Sequence, residues 1–171
     1  MKLSEWNELL FRKLVAETGS PGDPLYIYVD AEVLAEIGGF GDPDEALEDF
    51  KRAFEGYDFE TAHREASRWK QGGFNGLPPF MTALAMTVLA VTLAPIGQST
   101  MNVSRRQWEL LGGDNRRNNR KSEPAYYDSV PMVWKIWNDF LESEVGKPYG
   151  TPTANPGSLS KQGWARSQSF I

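Results

Sequence analysis

Cysteine is absent from the 171 residues of this chain, and histidine occurs once, at His63. A chain without cysteine forms no disulfide, has no thiol nucleophile and offers no thiolate ligand to a metal, and its composition suits a reducing compartment. A single imidazole also excludes any site that takes two histidines from one chain. We therefore predict a cytoplasmic protein that has neither a disulfide framework nor a thiolate metal site.

The sequence also lacks a secretory leader and a run long enough to span a membrane. The first six residues have no apolar stretch, so we expect no signal peptide. The longest apolar run, 80–94, would span roughly 22 Å as a helix, whereas a bilayer core needs about 30 Å. Because the run is apolar on almost every face, we predict a helix over about 79–94 that is buried inside the protein. The residues predicted to be least exposed are Leu84, Val88 and Val91.

Apolar residues recur every three or four positions in other stretches, which is the pattern of helices with one buried face. Asp30 and Asp42 precede two of these stretches as N-caps, and Pro43 suits a first helical position. Ser129 and Pro131 are predicted to begin the last helix, after a polar surface loop over 113–124. The predicted helices are 4–16, 31–37, 43–55, 59–70, a short helix over about 104–111 that a capping box at Ser104 begins, and 131–144.

The best strand candidate is 25–29, which is rich in aromatic and β-branched residues. The sequence shows no partner strand for it, so the same residues can instead form an extended segment packed under the helices. The predicted fold class is accordingly mainly α. We expect a helical, bundle-like domain around the central buried helix (about 79–94), with at most one short strand (about 25–29).

The end of the chain differs in composition from the rest. Residues 1–145 read as a helical domain, whereas 146–171 is rich in proline and glycine and has few periodic apolar positions. We predict an extended segment that packs on the helical domain, pinned by Trp164 and Phe170, or that leads to a further domain. The apolar ending at Ile171 suggests that the chain is the N-terminal part of a longer protein.

Charge is unevenly distributed along the chain, whose net charge is −5. Residues 1–65 contain 6 basic and 16 acidic side chains, whereas 66–171 contains 12 basic and 7 acidic ones. Basic side chains near Tyr126 and Tyr127 suit single-stranded nucleic acid through phosphate pairing and base stacking. A solvated loop explains the same residues, and the sequence pI of about 5.0 opposes a dedicated nucleic-acid binder. The candidate nucleic-acid-binding residues are Arg105, Arg106, Arg116, Arg117, Arg120 and Lys121.

Signals for catalysis or metal binding are weak. Glu60 and His63 lie three residues apart on one helical face, but the sequence offers no further ligands to complete a metal site. The glycine-rich turn 38–41 precedes an acidic helix start that would repel phosphate. The sequence contains no Gly-x-Ser-x-Gly motif, which would mark a serine nucleophile. The carboxylates of 30–65 are predicted to lie on exposed faces of helices. We predict no catalytic residue, cofactor or metal ligand.

Aromatic residues are plentiful, with 6 Trp, 6 Tyr and 9 Phe. Large aromatic side chains are favoured at protein interfaces, where they bury much area. Together with the apolar ending and the missing catalytic set, this content favours a helical protein–protein interaction module. Its partner would be another protein or a downstream domain of the same chain, and not a membrane. Nucleic-acid binding through 105–121 is the alternative, and an enzyme with an acidic site in 30–65 comes third.

Overall fold

The computed structural model describes residues 1–93 and 123–153 of the chain. Within these ranges the protein is mainly helical, as predicted, and its helices are arranged like a bundle. A π-helical turn, Arg12–Ala16, prolongs the first helix, and a 3-10 turn, Lys147–Tyr149, follows the last one. The α-helices are α1 (Leu3–Phe11), α2 (Ala31–Gly38), α3 (Pro43–Phe54), α4 (Phe59–Gln71), α5 (Met81–Thr92) and α6 (Glu123–Glu142).

The predicted helix starts at Asp30 and Asp42 are confirmed. The Asp30 carboxylate accepts a hydrogen bond from the Val33 N–H (2.8 Å), and Asp42 accepts one from the Asp44 N–H (2.9 Å). Each bond satisfies a backbone donor that has no partner within the first helical turn. Pro43 occupies the start of α3, where its missing N–H costs nothing. These caps therefore follow directly from the sequence.

The predicted start of the last helix is wrong. α6 begins at Glu123, so Ser129 and Pro131 lie inside the helix. Its first two residues belong to the predicted surface loop 113–124, which therefore ends earlier than expected. Pro124 lies in the first turn, where a proline is tolerated. Pro131 removes one hydrogen bond from the helix interior, at a cost of about 3 kcal/mol. Burial of Trp134 and Trp137 one or two turns later offsets that cost through packing.

The segment 25–29 is extended but belongs to no sheet within the described residues. Leu25, Ile27 and Val29 are buried, whereas Tyr26 is exposed and Tyr28 is half-buried. This alternation is that of an extended chain lying on the helices. The second reading of the sequence, an extended segment rather than a paired strand, is therefore the correct one.

The central helix α5 is buried, as the sequence predicts. It is slightly shorter than expected, and Leu84 and Val88 are both inaccessible to solvent, while the side chain of Val91 lies outside the described residues. α1 packs against α5 and fixes its start through Asn7, whose amide donates to the Pro78 carbonyl (2.6 Å) and accepts from the Met81 N–H (2.7 Å). In the part of the chain that the structure describes, no helix is long and apolar enough to cross a membrane.

Residues 146–153 lie against the helices. The Tyr149 ring packs on Phe11 and Phe140, with ring centroids 5.3 and 6.0 Å apart. The Thr151 N–H donates to the Asp23 carbonyl (2.8 Å), and Leu25 donates back to Thr151 (3.1 Å). The predicted pins, Trp164 and Phe170, lie outside the described residues, so the division of the chain at 145 stays a prediction.

Candidate functional site

α4 and α6 pack side by side, and the edge of their contact forms an open groove of about 380 Å³. On α4 the groove is lined at positions 67, 70 and 71, and on α6 at 132, 135, 136 and 139. Residues three and four apart on a helix are surface neighbours, so each helix contributes one continuous stripe. The aromatic side chains behind the groove hold the two helices together, since the rings of Trp69 and Phe140 lie 4.9 Å apart. The groove is therefore carried by two regular helices rather than by loops.

The floor of the groove is apolar. Ile136 is buried, but the neighbouring Met132 is 40% exposed, which is high for a large apolar side chain. The methionine side chain is unbranched and polarizable, so it can adapt to a second apolar surface. Together these two residues offer a place where an incoming apolar side chain would lose its contact with water.

The rim of the groove carries a cluster of three charges. The Nζ atoms of Lys70 and Lys135 lie 2.6 and 3.2 Å from the same Asp139 oxygen, Oδ2. Burial raises the pKa of Asp139, but the hydrogen bonds from the two lysines outweigh this effect and hold the pKa below its ordinary value. Asp139 is therefore ionised at neutral pH, and two ammonium groups share one carboxylate. The cluster has a net charge of +1.

Neither Ser67 nor Asp139 is placed for acid–base or nucleophilic chemistry in the groove. The Ser67 hydroxyl donates to the backbone carbonyl of His63 (2.8 Å), so it faces no base that could activate it. Asp139 is ionised between two cations, where it is a poor proton acceptor. What the groove can do is to enclose an apolar side chain and attract a negative one.

Several carboxylates of the acidic region 30–65 stabilise the fold. Asp30 caps α2 and also accepts a hydrogen bond from the Tyr28 hydroxyl (2.6 Å). Glu65 accepts one from Tyr57 (2.6 Å), and burial with this bond raises the pKa of Tyr57 far above its ordinary value. The residues described by the structure contain no group of three or more histidine, aspartate or glutamate side chains that could hold a metal ion. His63 is half-buried on α4.

The six candidate nucleic-acid-binding residues, at positions 105, 106, 116, 117, 120 and 121, lie outside the described residues. The structure instead brings together four groove residues that the sequence analysis did not select: Lys70, Met132, Lys135 and Asp139. The spacing of the three on α6 is visible in the sequence as a helical stripe. The contact with Lys70 is not visible, because 69 positions separate it from Asp139.

Comparison with protein-family models, curated proteins and solved structures finds no match to this chain. A function for it therefore rests on the geometry of the described residues. The groove between α4 and α6 combines an exposed apolar side chain with charged side chains from two helices.

Proposed function

We propose that the chain is a protein–protein interaction module that docks a partner protein in the groove between α4 and α6. The observation that carries this proposal is the 40% exposure of Met132 on the floor of a concave surface. A single apolar side chain on a flat or convex surface needs no explanation. Met132 differs because it lines the groove between α4 and α6, where a partner side chain would contact both helices and lose water.

The rigidity of the groove supports the proposal. Binding surfaces on regular elements lose little backbone entropy when a partner docks, because packing between the helices already holds the backbone. Behind the groove, Trp69 packs against Phe80 and Phe140, with ring centroids 5.6 and 4.9 Å apart, and Trp137 packs on Phe140 at 5.4 Å. This aromatic layer fixes the spacing of α4 and α6.

The cytoplasmic location remains part of the proposal, supported by the absence of cysteine. The proposed partner is a separate protein or a downstream domain of the same chain, and the charge of the groove bears on the choice between these occupants. Nucleic-acid binding through 105–121 stays a prediction of the sequence. Its test is the salt dependence of oligonucleotide binding after neutralisation of the basic residues.

The test of the docking function uses a random peptide library displayed on phage and selected on the purified chain. Each enriched peptide is then measured against two matched variants, Met132→Asp and Val145→Asp. Val145 is a suitable control because it is apolar, 49% exposed and outside the groove lining. We expect Met132→Asp to weaken binding at least tenfold, because a charge replaces the apolar floor. Val145→Asp should leave binding unchanged.

Both variants should melt within a few degrees of the unchanged chain, since exposed substitutions alter stability little. Circular dichroism checks this before binding is measured. If the enriched peptides bind all three proteins equally, or if Val145→Asp weakens them as much as Met132→Asp does, the groove is not the docking site. If the library yields no peptide whose binding depends on Met132, the groove is likewise not the docking site.

A further inference from the structure

On the basis of the proposed docking function, we infer that the groove selects partner segments that carry a carboxylate next to a large apolar side chain. The charge cluster on the rim is the reason. Lys70 and Lys135 both bind Oδ2 of Asp139, so the rim has one more cation than anion. A carboxylate from the partner would complete the set with two cations and two anions.

The two lysines are placed to bind this second carboxylate by donating hydrogen bonds to it. Their side chains are 45% and 47% exposed although both contact Asp139. An ammonium group has three donors, so one hydrogen bond to Asp139 leaves two donors for another acceptor. Charge-assisted hydrogen bonds of this kind are stronger than neutral ones, and they add selectivity when the apolar contact excludes water.

The arrangement along α6 sets the spacing that the partner must have. Met132 and Lys135 are three residues apart on α6, whereas both ammonium groups bind Asp139, which follows Met132 by seven residues. Seven residues of an α-helix rise by about 10 Å. The partner's carboxylate must therefore lie within about two helical turns of its apolar anchor.

Charge also argues for a separate partner as the occupant. Residues 94–122 contain six basic and two acidic side chains, and 154–171 contains two basic and no acidic ones, so neither segment of this chain complements the rim. The acidic residues of 1–65 in a second copy would complement it. Such a contact joins two different surfaces and tends to form open chains of molecules rather than a closed dimer. We therefore assign the groove to an acidic, apolar segment of another protein.

The experiment repeats the phage selection on the unchanged chain, on two variants of the rim and on one control variant. Lys70→Gln/Lys135→Gln removes both cations, and Asp139→Asn removes the shared anion. Arg64→Gln/Arg68→Gln is the matched control, because it removes two exposed cations of α4 that do not line the groove. The best peptide from the unchanged chain is also measured against all variants and with its own acidic residues changed to amides.

We expect the unchanged chain to enrich Asp or Glu within about two helical turns of an apolar anchor. Loss of both lysines should weaken the best peptide by about two- to fivefold per lysine, and Asp139→Asn should tighten it by a similar factor. Added salt should reduce these differences, and the arginine control should bind as the unchanged chain does. The tightening by Asp139→Asn is decisive, because a purely structural ion cluster would weaken binding when it is broken.

Other outcomes overturn the inference in distinguishable ways. If Met132→Asp abolishes binding but the enriched peptides are neutral or basic beside the anchor, the docking groove stands and its selection of carboxylates does not. If no peptide depends on Met132, both proposals fail. If sedimentation shows that the chain self-associates and that Lys70→Gln/Lys135→Gln abolishes the self-association, the groove binds a second copy of the chain. A single-stranded oligothymidylate that competes with the peptide in a lysine-dependent way assigns the rim to phosphate.

Discussion

Two aspartates in this protein each accept hydrogen bonds from two different groups, but the groups that donate to them differ in their exposure to solvent. Asp49 accepts hydrogen bonds from the amino terminus of Met1 (2.9 and 2.8 Å) and from the indole N–H of Trp6 (2.9 Å). Asp139 accepts from Lys70 and Lys135. The indole of Trp6 is fully buried, whereas both lysines remain almost half exposed.

The two sites differ in how many hydrogen-bond donors remain free after the aspartate has been bound. An indole has one donor, so the N–H of Trp6 is fully used, and the contact orients a core side chain. An ammonium group has three donors, and those of the two lysines also face solvent at the rim of a groove. The same motif, one carboxylate with two donors, therefore orients a core side chain at Asp49, whereas at Asp139 we propose that it forms part of a recognition surface.

The largest effect is expected in the core that Asp49 helps to orient. Leu84→Ala removes a fully buried side chain from α5, and the surrounding helices cannot close completely over the space. We expect a loss of about 2–5 kcal/mol in the free energy of unfolding, measured by denaturant titration. A loss below about 1 kcal/mol would show that α5 is not packed as described.

A smaller but distinct loss is expected for Asp49→Ala. The variant leaves the buried indole N–H of Trp6 without its acceptor, which costs about 1–3 kcal/mol of unfolding free energy. Asp49→Asn should cost less, because an amide oxygen can still accept from the indole. Equal losses for the two variants would mean that the negative charge, and not the acceptor for Trp6, matters at this position.

Asp139→Ala should change stability least, by at most about 1 kcal/mol, because exposed ion pairs contribute little. The same denaturant titration compares it directly with Asp49→Ala. If Asp139→Ala proves as destabilising as Asp49→Ala, the contrast between a structural aspartate and a recognition aspartate breaks down.

The smallest effect concerns pH. Burial raises the pKa of Asp49, but the hydrogen bonds from the amino terminus and Trp6 outweigh it and lower the pKa below its ordinary value of 3.8; Asp139 is lowered in the same way by its lysines. A lowered pKa in the folded state gives stability that is present above the unfolded value and is lost as pH falls through the folded one. Unfolding free energies below about pH 4 should therefore fall less steeply in Asp49→Asn and Asp139→Asn than in the unchanged chain. Identical slopes would contradict the lowered pKa values.

Local signals in the sequence predicted much of the fold. The caps at Asp30 and Asp42 and the buried α5 depend on neighbouring residues and on periodicity, and both can be read without a structure. The start of α6 was mispredicted because Pro131 marks a helix start by local rules, while packing of Trp134 and Trp137 pays for a proline inside the helix. Tertiary packing overrode the local preference at that one point.

The groove could not be predicted for the same reason. Its α6 stripe has the ordinary pattern of a solvated helix face, and Met132 looks like one more apolar residue in it. The stripe becomes one side of a groove only because α4 lies alongside it and brings Lys70 into contact with Asp139. Contacts between residues so far apart in the chain are set by the packing of whole helices, and a single sequence carries no local signal for them.

The most direct test of the docking groove is a map of amide chemical shifts in the labelled chain during titration with an enriched acidic peptide. We expect the largest shifts in 67–71 of α4 and 132–139 of α6, with saturation at the affinity measured independently. Met132→Asp should remove these shifts, and Val145→Asp should retain them. Shifts centred elsewhere, on the basic residues of 105–121 or on the acidic faces of α2 and α3, would contradict the assignment of the groove as the docking site.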